Sequence, residues 1–378
     1  MKKLRLVRGS EVGSFLTDRG AWKFRWIDRL VKNVPDKKLF FGDLFHKHME
    51  HVVTSDNLME AHDKTEIWLK EKDTSDMEMA DYNEVVNLFH DVADYYEKTY
   101  YMRDSVDIDP IAAELRFAIP LYDDASSVRM DFAYEGTIDL LYIEEGLLKF
   151  KDYKTVSSIE RYVNNSVLDR QISRYWWALT ALCNGHGYIW EDFADREGGM
   201  WVHVTKHPLY GVLKKFPDGP QEFIYDIVKK EAPKPPRILK GGALSKDKSQ
   251  KTTYEMFVKA IDDMGLSTSD YAEILDHLMN KGDQFLRRVP VRRNWKECES
   301  AMMDFARAAQ EMLQVRSEVE SGCLDRIYYN ITWDTPTYNA YYPLLQAEIK
   351  GENVSLVKAA LYRTEEYDPE TDYIEVED

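Results

Sequence analysis

GTIDLLYIEEGLLKFKDYKT, residues 136–155, carries two runs of alternating apolar residues on either side of Glu145-Gly146. That pattern predicts a β-hairpin with Glu-Gly as its two-residue turn. Pairing Glu144 with Leu147 then sets Asp139 directly opposite Asp152. Like charges so placed repel unless a positive group lies between them, and a divalent cation would supply it. Side chains alternate along a strand, so Leu148, Phe150, Asp152 and Lys154 share one face, with Leu141 and Ile143 joining them in the core. The two carboxylates end a buried apolar row.

The 378 residues suffice for a large core, and 44% apolar with 13% aromatic content describes a globular chain. A formal net charge of -17 alone argues against a nucleic-acid partner. However, eight acids and no Lys or Arg lie from Glu365 to Asp378, which leaves -9 on the rest. Three dispersed cysteines (Cys183, Cys298, Cys323), with no signal peptide and no long apolar run, predict a reducing cytoplasmic compartment and no membrane partner. They also leave no structural zinc or iron-sulfur site to be expected.

Upstream of the hairpin, RGAWKFRWIDRL (19–30) reads as an aromatic helix packed on the core with a basic outer face. FFGDLFHKHMEHV (40–52) starts a long helix on which Gly42, His46 and Glu50 share a face. On this reading His48 and His51 are solvated. His46 points inward and needs a partner, either as a hydrogen-bonded core histidine or as a ligand. Residues 56–105 are polar and helical, with Tyr95, Tyr96, Tyr100 and Tyr101 placed to pack on the hairpin. Strands begin at Ile111, with AAELRFAIPL and then VRMDFAYE ahead of the hairpin. Glu114 is either a surface residue of an edge strand or a third acidic group beside the proposed cation.

Downstream, residues 157–182 read as one long helix to about Cys183, its apolar set running from Val163, Val167 and Leu168 to Leu182. Gln171 and Tyr175 share one of its faces. GYIWEDF and GGMWVHVTKH add two strands. The order β, β, β-hairpin, helix, β, β predicts an α/β (α+β) core with a mixed sheet. Residues 208–253 turn polar, and eight basic against two acidic residues lie between Lys229 and Lys251. Lys246, Lys248 and Lys251 thus belong to a loop or arm that suits a phosphate backbone, or to a solvated linker. LRRVPVRRNWK (286–296) leads into an amphipathic helix ending near Gly322, and a loop, a short helix and the acidic tail follow. No phosphate-binding GxxxxGK[ST] loop occurs, which argues against an ATP-driven motor.

A D/E-x-K triplet is common, and Asp36-Lys37-Lys38 and Glu348-Ile349-Lys350 are two others in this chain. Asp152-Tyr153-Lys154 differs in its opposed Asp139, its apolar flanks and the Gln- and Tyr-bearing helix after it. With GDLFH, GTIDLL, DYKT and QISRY in that order, the chain resembles the PD-(D/E)XK nuclease superfamily. Its motifs look most like those of the RecB-type branch, which includes stand-alone phage exonucleases. The resemblance implies a restriction-endonuclease-like core with helical N- and C-terminal additions. It divides the chain into an N-terminal helical region carrying the His motif (1–110), the nuclease core (111–207) and a basic insert with a helical arm (208–284). A C-terminal helical region packing on the core (285–364) and the acidic tail (365–378) complete that division.

The same resemblance implies that His46, Asp139, Asp152 and the Tyr153 carbonyl bind Mg2+ or Mn2+, with Glu114 a further candidate. Lys154 would orient water or counter phosphate charge, and Gln171, Tyr175 and Arg174 would contact DNA. The iron-sulfur cysteines of some relatives are missing at both ends, so no cluster is expected. Aromatics such as Trp22, Tyr338, Tyr341 and Tyr342 would then hold the ends together. The implied activity is a DNA exonuclease of recombination, repair or phage DNA metabolism, in the host cytoplasm if phage-encoded, with a helicase or recombinase as a candidate partner. The motif is shared with structure-specific endonucleases and nickases, and a catalytically inactive DNA-binding subunit is the alternative of a different class. Neither cleavage polarity nor oligomeric state is written in these motifs.

Overall fold

Nine strands form one mixed sheet among the residues described by the computed structural model, namely 2–72, 74, 76–122, 129–166, 168–192, 198–365 and 372–376. In chain order, β1 (Lys2–Arg8), α1 (Gly9–Thr17), α2 (Arg19–Trp22) and a π-turn over Lys23–Ile27 lead to β2 (Leu30–Lys32). Three helices follow, α3 (Lys37–Thr54), α4 (Leu58–Glu71) and α5 (Met79–Asp107). Next come β3 (Asp109–Tyr122), β4 (Arg129–Glu144), β5 (Leu147–Val156), α6 (Ile159–Ser166) and α7 (Arg170–Cys183). Then β6 (Tyr188–Asp192), β7 (Gly199–His203), α8 (Tyr210–Leu213) and β8 (Glu222–Lys229) precede α9 (Tyr254–Asp263) and α10 (Ala272–Lys281). The chain continues with β9 (Leu286–Val291), α11 (Trp295–Glu320), α12 (Thr335–Tyr338), α13 (Tyr342–Lys350), α14 (Val354–Leu361), β10 (Tyr362–Thr364) and β11 (Tyr373–Val376).

The strand order is β7-β6-β3-β4-β5-β8-β9, with β1 parallel to β4 and β11 antiparallel to β1. One face packs on α7 and α11 through residues such as Tyr134, Leu148, Phe150, Ile172 and Phe305. The other takes α3 and α5 against Leu140, Tyr142, Tyr153 and Val228. Several helices start where a short polar side chain caps them. Asp36 accepts from the Lys38 and Leu39 amides, and Asn294 forms a reciprocal box with Glu297.

The hairpin register is the one read from the sequence, from Glu144↔Leu147 to Leu140↔Lys151. Several neighbours differ. Residues 129–135 of VRMDFAYE and the first hairpin strand are a single strand, β4, and Val128 lies outside the described residues. The segment after the hairpin is two helices, since Asp169 caps a new one through the Gln171 amide, and Leu168 is consequently exposed. Val167 lies outside the described residues. Residues 208–253 are not all loop, for they contain β8, parallel to β5 and antiparallel to β9. Strand β8 is buried on both faces, and such strands lack the alternation that marks a half-exposed one. The sheet therefore extends beyond residues 111–207 at both ends of the chain. Within the acidic tail, Ile374 and Val376 are buried where β11 closes on β1.

The chain ends meet through aromatics, Tyr341 of the expected set together with Phe24 and Tyr362. Tyr341 stacks on Tyr362 and packs on Phe24, and its hydroxyl donates to the Leu30 carbonyl over 2.7 Å. Trp22 turns inward instead, edge-on to Phe15 in the main core. The Tyr338 side chain is outside the described residues.

Candidate active site and metal centre

Strand β4 has β3 along one edge, but its other edge is shared. Strand β1 pairs with it as far as Glu135 and β5 only from Leu140 onward, so Gly136–Asp139 lies in the fork between them. Alternation breaks there. Ile138 and Leu141, three residues apart, reach the same core cluster, as do Ala112 and Leu115 on β3. Between the latter pair, Glu114 takes a φ of +47°, a left-handed conformation costly for a residue with a side chain. A crease thus runs across both strands, and the two residues in it are Glu114 and Asp139. The Tyr153 amide, which a regular ladder would give to a carbonyl, donates to Asp139 Oδ2 at 2.7 Å.

Helix α3 crosses this crease closely, because a Cβ at Gly42 would sit 3.2 Å from Thr155 Oγ1. It sets His46 Nδ1 3.4 Å from Asp139 Oδ2, and one ligating atom each from His46, Glu114 and Asp139 falls within 4.8 Å of the others. On the neighbouring strand Asp152 is buried. Its Oδ2 is ion-paired with Lys154 Nζ at 2.5 Å.

The electrostatics of this group are those of a cation site. Burial, then Asp152 and Glu114, hold the Asp139 carboxyl well above the ordinary aspartate value. Burial, with Glu50 and Asp152, pushes Glu114 up to about 7 against the pull of Lys47. Burial lowers His46, more than Asp152 raises it, which favours the neutral imidazole with a lone pair to offer. Burial also opposes the charge of Lys154, but Asp152, Tyr162 and Asp139 outweigh it and raise its pKa. Clustered carboxylates with one imidazole fit a hard divalent cation, the imidazole tilting the preference toward manganese. Of the expected ligands, His46 and Asp139 come together with Glu114, and Asp152 lies next to them on Lys154.

Two clefts flank the crease. One, of about 410 Å³, is lined by Arg8, Gly136, Asp169, Gln171, Arg174 and Tyr175 among others. There Gln171 Nε2 donates to the Tyr175 hydroxyl at 2.9 Å, and Asp169 is held by the Tyr225 hydroxyl at 2.7 Å. Gly136 makes room for this arrangement, since a Cβ would lie 2.8 Å from Tyr175 Cε1 and 2.7 Å from Phe117 Cζ. Gly136→Ala is expected to cost about 1–3 kcal/mol by overpacking, measured by denaturant unfolding. Gly13→Ala, with nothing within 4 Å, should be neutral or stabilising. The other cleft, of about 680 Å³, contains His46 and Glu114 together with Lys38, Lys47, Lys72 and Lys230.

Lys246, Lys248 and Lys251 line neither cleft. Lys248 pairs with Glu273 at 2.6 Å, Lys251 pairs with Glu231, and Lys246 lies over the Tyr271 ring. The basic residues beside the crease, Arg8, Lys38 and Lys230, were not singled out in the sequence, because each stands in a different segment and only the fold unites them. His48 is fully buried rather than solvated. It is inserted between α4 and α5, and no periodicity within α3 reports those partners.

No curated protein matches the sequence significantly. No helix among the described residues is long and apolar enough to cross a membrane. The family model of the PD-(D/E)XK nuclease superfamily does match, over residues 10–300, a span that includes His46, Glu114, Asp139, Asp152, Lys154, Gln171 and Tyr175. The chain belongs to the PD-(D/E)XK nuclease superfamily.

Proposed function

We propose that the protein is a DNA exonuclease dependent on Mg2+ or Mn2+, acting in recombination, repair or phage DNA metabolism. The observation that carries this reading is the convergence of His46, Glu114 and Asp139 at the crease, beside Asp152 and Lys154. In this reading His46, Asp139, Asp152 and the Tyr153 carbonyl hold the cation, and Glu114 completes the acidic set. When bound, the ion would lower the pKa of a water and offset charge on the scissile phosphate.

The protein's own groups do the rest. Lys154 holds Asp152 in place and presents an ammonium where negative charge grows on the phosphoryl oxygens. The Tyr153 amide fixes Asp139 through Oδ2, the oxygen that lies 3.4 Å from His46 Nδ1. Gln171, locked to Tyr175 on α7, and Arg174 steer the strand through the Arg8 cleft, and Lys38 and Lys230 receive phosphates from the opposite side. A helicase or recombinase is the partner class that would deliver DNA ends.

Incubation of end-labelled single-stranded, duplex and circular DNA with either metal tests this reading. Mononucleotides or short oligomers from linear DNA, with circles left intact, are expected. Cleaved circles would make the enzyme an endonuclease or nickase, and no products on any substrate would overturn the reading altogether.

A further inference from the structure

Helix α3 contributes a histidine to each of two clusters. The second cluster consists of His48 on α3, His62 on α4 and Glu97 on α5, with one ligating atom of each within 4.8 Å of the others. His48 Nε2 is 2.7 Å from Glu97 Oε1 and His62 Nε2 is 3.1 Å from the same carboxylate, with the two rings 4.8 Å apart.

The hydrogen bonds behind His48 fix its tautomer. A threonine hydroxyl has one proton and two lone pairs. Thr65 Oγ1 donates its proton to the Ala61 carbonyl at 2.8 Å, and it therefore accepts from Nδ1 of His48 at 3.0 Å and from Nδ1 of His51 at 2.9 Å. Nδ1 of His48 carries the hydrogen, and Nε2 is turned toward Glu97 and His62. Metal-bound histidines are held in the same way, by a partner that takes the other ring N–H. Thr65 is buried, and Phe89 closes edge-on against His48 at 5.3 Å. The His62 side chain is 38% exposed and leaves a way in from solvent.

We propose that His48, His62 and Glu97 form a Zn2+ site that joins α3, α4 and α5, with a fourth position open to water. Two imidazoles and one carboxylate suit a borderline transition ion, whereas Mg2+ and Ca2+ prefer oxygen ligands throughout. The site is separate from the crease and differs from it in chemistry, having two nitrogen ligands where the crease offers one. His48 stands two residues after His46, so an ion here would also fix the helix that presents His46.

The full chain, stripped with a chelator and kept in saturating Mg2+, is titrated with Zn2+ and then desalted. One Zn2+ per chain should remain and raise the melting temperature. The same is expected of a Glu114→Gln/Asp139→Asn protein, in which the crease is disabled. His62→Ala, at a partly exposed position, should keep native circular dichroism and bind Zn2+ about 100-fold more weakly, since even outer partners of a metal are worth about 10–100-fold. Glu97→Gln is the second variant, and Co2+ in place of Zn2+ should give visible tetrahedral absorption that His62→Ala abolishes. Equal Zn2+ retention by parent and His62→Ala overturns the proposal. So does loss of Zn2+ in the crease variant, which would place the ion there, or absence of Zn2+ from the parent, which would leave a His48–Glu97 ion pair alone.

Discussion

Asp139→Asn is expected to lose metal-dependent cleavage by about 10³-fold, equivalent to about 4 kcal/mol of transition-state stabilisation, while its metal-free form melts above the parent. Both effects have one cause. Asp139 is held buried beside Asp152 and Glu114, an arrangement that favours a cation and costs stability without one. Asparagine keeps an oxygen to accept from the Tyr153 amide and removes the charge.

The same cost makes the metal-free parent pH-sensitive. Glu114 has a folded value of about 7 against an ordinary 4.5, so between these two the folded chain holds a proton that the unfolded chain has lost. Stability then falls as pH rises through that window and levels off above it. Saturating Mg2+, which favours the ionised carboxylates, should flatten the slope. Melting temperatures at pH 5 to 8, with and without Mg2+, check this, and a metal-free protein that grows more stable as pH rises from 5 to 7 would contradict it.

The second large effect belongs to Lys154→Ala. Cleavage should fall by about 10²–10³-fold, the range for removing one group that meets developing charge. DNA binding, which the proposed function assigns to groups in the two clefts, should change less than threefold. Lys154 is also the ion partner of the buried Asp152, at 2.5 Å. Removing one member of a buried pair leaves the other uncompensated, at a cost of about 3 kcal/mol. Lys154→Ala should therefore be the less stable protein without metal and recover more stability than the parent when Mg2+ is added. Single-turnover cleavage, fluorescence anisotropy and thermal melts separate these outcomes. Cleavage at the parental rate would remove Lys154 from the proposed mechanism.

Much of this centre was legible because it is local. The hairpin turn and the register from Glu144↔Leu147 to Leu140↔Lys151 lie within twenty consecutive residues of a simple pattern, but the ladder stops one pair short of Asp139 and Asp152. Gln171 and Tyr175 needed only helical spacing. What escaped depended on distant partners. Glu114 had two readings because its left-handed φ belongs to the crease, which β1 and β5 create by sharing one edge of β4. Strand β8 hid in a polar composition shift, although EFIYDIVK is itself apolar. Burial of Asp226 there is made tolerable by Arg288, Lys151 and Tyr96, from three other elements. His48 was misplaced for the same reason, its partners being on two other helices.

Strand β11 has a consequence for how the chain is made. Lys2 pairs with Val376 and Arg5 with Tyr373, so these contacts of β1 wait for residues translated some 370 positions later. Such sequence-distant pairing is slow to form. A nascent chain can dock β1 on β4 once residue 135 has emerged from the ribosome, yet β1 then presents a bare strand edge until β11 arrives. Bare edges invite pairing with other chains. Truncation before Tyr373 should accordingly show itself in the yield of soluble protein, through aggregation during synthesis, before it shows in the chemistry of the distant crease.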